Sequence, residues 1–304
     1  MTRLFYTTGK QDIIEEEWDK PEPGIREIEV KSIFTGVCRS DIDMYCGSFQ
    51  MLPKTIQGHE SLGIVTKVGK MVTKLTGVKE GDYVATRGEP AFADYYNCPV
   101  TAFVKVPEAN PKYIIEPVAC GLNIARSLGE PIPGKDILIL GSGFLATVVY
   151  TMLSRYFDNP IIVVGNANSE FWAKQSNVIQ SQIDDIKNKK FSYVIDLSDK
   201  PEYLDLNLYE ERATIVLAAE KHPASVTTFS QFLWNAVDVK FPSPRNITFY
   251  DSMFLAENLI KHGDLDTSSL WTKEYNRETE VKLAFSEGLA RSSGYSRGYI
   301  KWKT

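Results

Sequence analysis

A thiol at Cys38, an imidazole at His59 and a carboxylate at Glu60 fall within one short stretch of the chain. Zinc accepts all three donor types, and three protein ligands with an open fourth position make a catalytic site. Taken singly, each has a plainer reading: a lone cysteine packs in cores, and a lone histidine is usually a hydrogen-bonded bystander. The chain has only three histidines, and one of them sits inside Gly58-His59-Glu60. A second constellation is rich in glycine. Gly141, Gly143 and Ala146 form G-x-G-x-x-A directly after the apolar run DILIL. In that pattern the first glycine permits a tight turn, the second lets backbone approach a pyrophosphate, and Ala146 lets helix and strand pack closely. The helix that begins at Phe144 and Leu145 would then offer free N–H groups and a positive dipole end to phosphates. A tight strand–helix turn without a ligand is the alternative, and the strand before it and the helix after it favour the nucleotide. One strand later, IIVVG leads into Gly165 and Asn166 with no carboxylate before Glu170. A carboxylate there would bind the ribose 2′-OH of NAD. Its absence leans towards NADP, although no arginine stands there to clamp a 2′-phosphate.

These residues need elements to hold them. Across 304 residues, the chain is long enough for two sizeable cores. Its 43% hydrophobic and 24% charged residues are those of a globular protein, which excludes a disordered chain, a collagen-like repeat and a small disulfide scaffold. The first third reads as short strands (IREIEVKSIFTGV, SLGIVTKVGKMV, GDYVATRG, TAFVKVP) broken by glycine and proline, the rhythm of a small β-barrel or sandwich. From about Tyr113 the pattern changes. EPVACGLNIARSLGE reads as a helix, and then come the strand DILIL, a helix over Phe144–Tyr156, and strands at IIVVG, FSYVIDL, ATIVLAA and AVDVKF. Such alternation implies βαβ units and a parallel sheet. The tail segments YDSMFLAENLIKHGDL and ETEVKLAFSEGLARS have helical spacing.

A net charge of −5 gives no electrostatic reason to bind nucleic acid or an anionic membrane. No apolar run approaches the ~20 residues that span a bilayer. The N-terminus lacks the apolar core of a signal peptide, and the four cysteines form no paired framework, so a cytoplasmic protein with reduced thiols is expected.

The stretches GVCRSD (36–41), GHESLGIVTKVGKMV (58–72) and GDYV (81–84) resemble the zinc-dependent medium-chain dehydrogenase/reductase family. The resemblance implies an α/β protein in which a GroES-like β-barrel catalytic domain (1–123 and 248–304) flanks a Rossmann doubly wound parallel-sheet domain (124–247). It implies Cys38 and His59 as zinc ligands, with Glu60 as a ligand or an exchangeable neighbour. Ser40 matches the hydroxyl that bonds the reacting alcohol and passes on its proton. Asp41 matches the carboxylate that orients the zinc histidine. Arg39 matches an arginine placed against the cofactor pyrophosphate. The pair Glu116-Pro117 resembles the polyol and sugar dehydrogenase branch, where this glutamate binds zinc directly or through water. A carboxylate favoured by the helix N-terminus is the other reading of Glu116.

The sequence also departs from the family. The family's structural zinc lobe of four cysteines has no counterpart between Ala85 and Pro90, so one catalytic zinc and no structural zinc are expected. Asp43 stands where many alcohol dehydrogenases carry a proton-relaying histidine. The segment between FSYVIDL and AVDVKF is trimmed, with KHPAS there and FPSPR just beyond in place of the usual nicotinamide loop. The expected activity is hydride transfer between NAD(P) and an alcohol, polyol or sugar. Two other readings share the fold: a sensor-like nucleotide-binding homologue with weak or no turnover, and a zinc-free quinone or enoyl reductase. By the same resemblance the partners are a small-molecule substrate, no nucleic acid or membrane, and further copies of the chain in a homodimer or homotetramer. AVDVKF could be the sheet edge at which copies meet, or an ordinary buried strand. Phe49, Met51, Phe92 and Tyr95 could line a substrate pocket or anchor a core.

Overall fold

The computed structural model describes residues 2–48, 50–219 and 229–303. Contacts divide the chain into two units, Met1–Ala119 with Tyr250–Thr304, and Cys120–Phe249.

The first unit is built around the strand Glu27–Gly36, which is buried at eight of its ten positions, five of them β-branched or aromatic. It pairs antiparallel with Ser61–Val68, Tyr95–Pro99 and Arg297–Lys301. The sheet continues outward through Tyr83–Thr86 and Phe103–Lys105 on one side and Trp271–Asn276 on the other. A hairpin of Thr2–Tyr6 and Ile14–Trp18 stands beside it. Tyr95–Pro99 alternates as a half-buried strand should, with Tyr96 and Cys98 inward. Leu4, Ile28, Val30, Val65, Val84 and Phe103 close over that face. A second cluster stacks Phe5 on Phe92 (4.5 Å between centroids) and on Trp302 (5.9 Å), with Phe285 edge-on. Helices Arg39–Cys46 and Val281–Ala290 supply Ile42, Tyr45 and Phe285 to it.

The buried Tyr96 hydroxyl lies 2.7 Å from Thr86 Oγ1, which also accepts from Gly88 N. Tyr96→Phe therefore leaves Thr86 with a partner. Its cost is expected at the low end of the ~1–3 kcal/mol range for a broken buried hydrogen bond, read as a shift in urea midpoint at constant slope.

The second unit is a six-stranded sheet in the order Val178–Ser181, Ile161–Val164, Ile137–Leu140, Phe191–Asp196, Tyr209–Leu217, Asp238–Lys240, every pairing parallel. Numbered within the unit, that order is 3-2-1-4-5-6, the doubly wound dinucleotide-binding arrangement. Ile137–Leu140 and Ile161–Val164 are buried at all four positions, as strands covered on both faces must be. Helix Phe144–Tyr156 follows the first of them. Gly121 of helix Glu116–Leu128 lies against Val148, where a methyl group would collide with the valine Cβ at 2.7 Å. Of the two readings of AVDVKF, the structure supports the edge: Asp238–Lys240 ends the sheet. Among the described residues no helix is long and apolar enough to cross a membrane.

The strands expected in the first third and through the parallel sheet are present, and so are the two tail helices, at Phe249–Lys261 and Val281–Ala290. The tail also holds two strands that its sequence did not announce, Trp271–Asn276 and Arg297–Lys301, parallel to each other. They extend the sheet of the first unit.

Candidate active site

Strand register assembles the metal-type cluster. Thr35 pairs with Ser61, and Gly36 N donates to Glu60 O at 2.7 Å. The residue that caps helix Arg39–Cys46, Cys38, therefore emerges beside the two residues that precede strand Ser61–Val68. Donor atoms of Cys38, His59 and Glu60 all lie within 4.8 Å of one another. Gly36 makes room for this: a methyl group there would fall onto Glu60 Oε2 and sit 3.1 Å from its Cβ.

Of the three, Glu60 is buried and Cys38 and His59 are half-buried. Glu60 is fully buried, its Oε1 accepts from Arg297 Nη1 at 2.9 Å, and its Oε2 has no protein partner. Asp41 Oδ2 accepts from Cys38 N at 2.8 Å, while its buried Oδ1 lies 3.9 Å from His59 Nδ1. Burial pushes the Cys38 thiol up, and Glu60 adds to that. For His59 burial works against protonation, but Asp41 and Cys38 outweigh it and carry the imidazole well above its ordinary value. Burial raises Asp41 to about 6. An orphaned buried carboxylate oxygen, a thiol and an imidazole on one focus make the donor set that zinc accepts. A divalent ion would supply the positive charge this set attracts. If Asp41 orients His59, Asp41→Asn is expected to weaken zinc affinity by ~10–100-fold, measured by competition with a chromophoric chelator.

The neighbouring candidates fall as follows. Ser40 lies in the first turn of the helix, half-buried, and its hydroxyl has no partner among the described residues. Asp43 is buried and accepts from Arg39 Nε at 2.8 Å, an i,i+4 pair on one helix face. Glu116 is buried at the N-terminus of helix Glu116–Leu128. It lies outside the three-residue focus, yet its charge helps to raise His59.

In the second unit the glycine turn has the expected local geometry. Gly141 has φ +113°, a conformation side chains avoid. Around Gly143, the N-cap, no atom lies within 4 Å of where a Cβ would stand. No side chain caps helix Phe144–Tyr156, so the N–H groups of Phe144, Leu145 and Ala146 keep the anion-binding character of a helix start. Ala146 is buried. Gly165, at φ +141°, is required because a methyl group would meet Ser142 Oγ at 2.6 Å. Asn166 Oδ1 accepts from Gln182 Nε2 at 2.8 Å.

Three residues of this geometry went unread in the sequence. Ser142 is buried, and its hydroxyl accepts from Ala167 N at 2.8 Å while its carbonyl accepts from Trp172 Nε1 at 3.0 Å. It ties the loop after Ile161–Val164 to the glycine turn. Gln182 is the second. Arg297 is the third, and only the strand pairing of the tail could have announced it. Of the pocket candidates, Phe92 is a core anchor stacked on Phe5, and Met51 and Tyr95 are half-buried. Phe49 and KHPAS lie outside the described residues, and FPSPR forms an exposed turn closed by Ser243 N donating to Phe241 O.

The chain thus combines a β-rich unit that carries a Cys-His-Glu focus with a parallel-sheet unit of the dinucleotide-binding type. Residues 24–108 match the alcohol dehydrogenase GroES-like domain family. The chain is 29% identical over 185 residues to the D-xylulose reductase A of Aspergillus niger, covering 48% of this chain and 51% of that protein, so the match spans about half the relative's length. It is 22% identical over 328 residues to the L-threonine 3-dehydrogenase of Pyrococcus abyssi, covering 91% and 92%. In fold it is similar to a structure from Sinorhizobium meliloti 1021 provisionally described as a zinc-binding dehydrogenase and bound to NADP. The TM-score is 0.78 at 16% identity, covering 99% of this chain and 100% of that one. The first unit thus carries a segment of the alcohol dehydrogenase GroES-like domain type.

Proposed function

We propose that the chain is a zinc- and nicotinamide-dependent oxidoreductase that moves a hydride between NAD(P) and an alcohol of the polyol or sugar class. The observation that carries this reading is the convergence of Cys38, His59 and Glu60 with one Glu60 oxygen buried and unpartnered. The kinship with D-xylulose reductases supports the polyol class. Cys38, His59 and a carboxylate, Glu60 or Glu116, would hold a zinc ion, which would supply a Lewis acid for the substrate oxygen. Ser40 accepts a hydrogen bond from the substrate hydroxyl and leads its proton away. Asp41 keeps His59 oriented. Asp43 fixes the Arg39 guanidinium, which the family pattern assigns to the cofactor pyrophosphate. The N–H groups of Phe144, Leu145 and Ala146 hold the phosphates on the glycine turn. A nicotinamide cofactor held there would supply the hydride acceptor for oxidation of the alcohol, or the donor for reduction of the carbonyl.

The finer assignments follow from the sequence. One zinc per chain is proposed because 85–90 carries no cysteine. NADP is preferred because Gly165 and Asn166 present no carboxylate to a 2′-phosphate. A cytoplasmic protein that assembles as a homodimer or homotetramer completes the proposal.

The test is zinc per chain together with fluorescence titration of NADP and NAD in one preparation. One zinc, lost in Cys38→Ser, with binding of either nucleotide is expected. Nucleotide binding without zinc would replace the reading with a zinc-free reductase or a sensor.

A further inference from the structure

Arg297 starts the strand Arg297–Lys301, which is fixed on Glu27–Gly36 by the pairing of Tyr299 with Gly36 and by Val37 N donating to Gly298 O at 3.1 Å. Its guanidinium is almost wholly buried. Nη1 donates to Glu60 Oε1 at 2.9 Å, and Nη2 lies 3.8 Å from Cys38 Sγ. One cation thus engages two of the three residues whose donor atoms converge. The Glu60 carboxylate packs on Gly36, where a methyl group would fall onto its Oε2.

We infer that Arg297 is a positioning residue that competes with the metal, holding Glu60 and Cys38 in register before metal binds and giving up part of that hold when it does. The inference rests on the metal reading of the cluster. A buried carboxylate left without its cation is strongly destabilised, so the metal-free site needs Arg297. A metal ion needs the same two residues, and it must bind a thiolate beside a fixed positive charge. Each cation therefore weakens the other's hold, and that coupling is reciprocal. Glu60 would be shared between them, its Oε1 held by the guanidinium and its Oε2, which has no protein partner, left for a metal ion. In this arrangement Arg297 sets how tightly zinc is kept and how readily it leaves.

The test uses the full-length protein stripped of metal and titrated with Co(II) against a competing chelator, followed by the cobalt–thiolate charge-transfer band. Melting of the metal-free form is recorded alongside. Arg297→Met is expected to bind cobalt more tightly by about ten-fold, within the usual range of coupling between sites, and to melt at a lower temperature without metal. Arg297→Lys keeps the charge without the fork. It is expected to fall between the two in affinity, and it carries the test if the methionine variant does not fold. Cobalt affinity equal to or weaker than that of the wild type in the folded variants would overturn the competition. No cobalt band in the wild type would overturn the metal reading itself, a different outcome.

Discussion

His59→Ala is expected to take zinc from one per chain to none and to lower turnover by well over ~100-fold, beyond the 10–100-fold cost of losing an outer-shell partner. The fold should survive, because His59 sits in a loop end and not in either hydrophobic cluster of its unit. Removing the imidazole leaves only Cys38 and Glu60, both already engaged by Arg297, to bind a metal ion. It also leaves Asp41, whose Oδ1 faces His59 Nδ1, without the group it faces. Zinc measured by atomic spectroscopy, with circular dichroism as the control for folding, separates loss of the site from loss of the structure. Zinc retained at one per chain in this variant would move the metal elsewhere.

Gly143→Val is expected to leave stability nearly unchanged while raising KM for the dinucleotide by on the order of 100-fold, the cost of a misplacement of about 1 Å at a positioned ligand. The reason is an asymmetry in the turn. At Gly143 the backbone has an ordinary extended conformation, and no protein atom lies within 4 Å of a new Cβ. The protein has no need of a glycine there. A pyrophosphate approaching the first N–H groups of helix Phe144–Tyr156 does need one. Gly165→Val is the control with the opposite profile, since its φ of +141° and the Ser142 hydroxyl at 2.6 Å make the glycine a requirement of the fold. Melting temperature against KM distinguishes the two. A Gly143→Val protein that binds nucleotide as well as the wild type would empty the turn of its proposed role.

Much of this was legible because the signals are local. DILIL, G-x-G-x-x-A and the apolar helix behind them form a contiguous unit, and the helix occupies Phe144–Tyr156 as its periodicity requires. Cys38 and His59-Glu60 stand at the facing ends of two neighbouring strands, and β-type residues with glycine punctuation mark both. Arg297 was illegible for the opposite reason. It lies 237 residues from Glu60 and 259 from Cys38. Its strand RGYIK is short, holds a glycine and pairs in parallel with the polar WTKEYN, so its strand character comes from tertiary contacts and not from propensity. Ser142 fills an unconstrained position of its own motif, G-x-G-x-x-A, where only the glycines and the alanine carry a signal. The hairpin Thr2–Tyr6 with Ile14–Trp18 also went unread. Its second strand, IEEEW, carries three consecutive glutamates, and only its pairing with the first makes it a strand.

Hydride transfer at a zinc held by Cys38, His59 and Glu60 is tested most directly by turnover in paired proteins. Zinc-loaded wild type and Cys38→Ser would be given NADP or NAD with a panel of pentitols and hexitols, and nicotinamide absorbance followed. The expected result is reduction of nucleotide by at least one polyol in the wild type, and its loss in Cys38→Ser with nucleotide binding retained. Equal rates in the two proteins, or no reduction by any polyol in a wild type that holds one zinc and binds nucleotide, would contradict it.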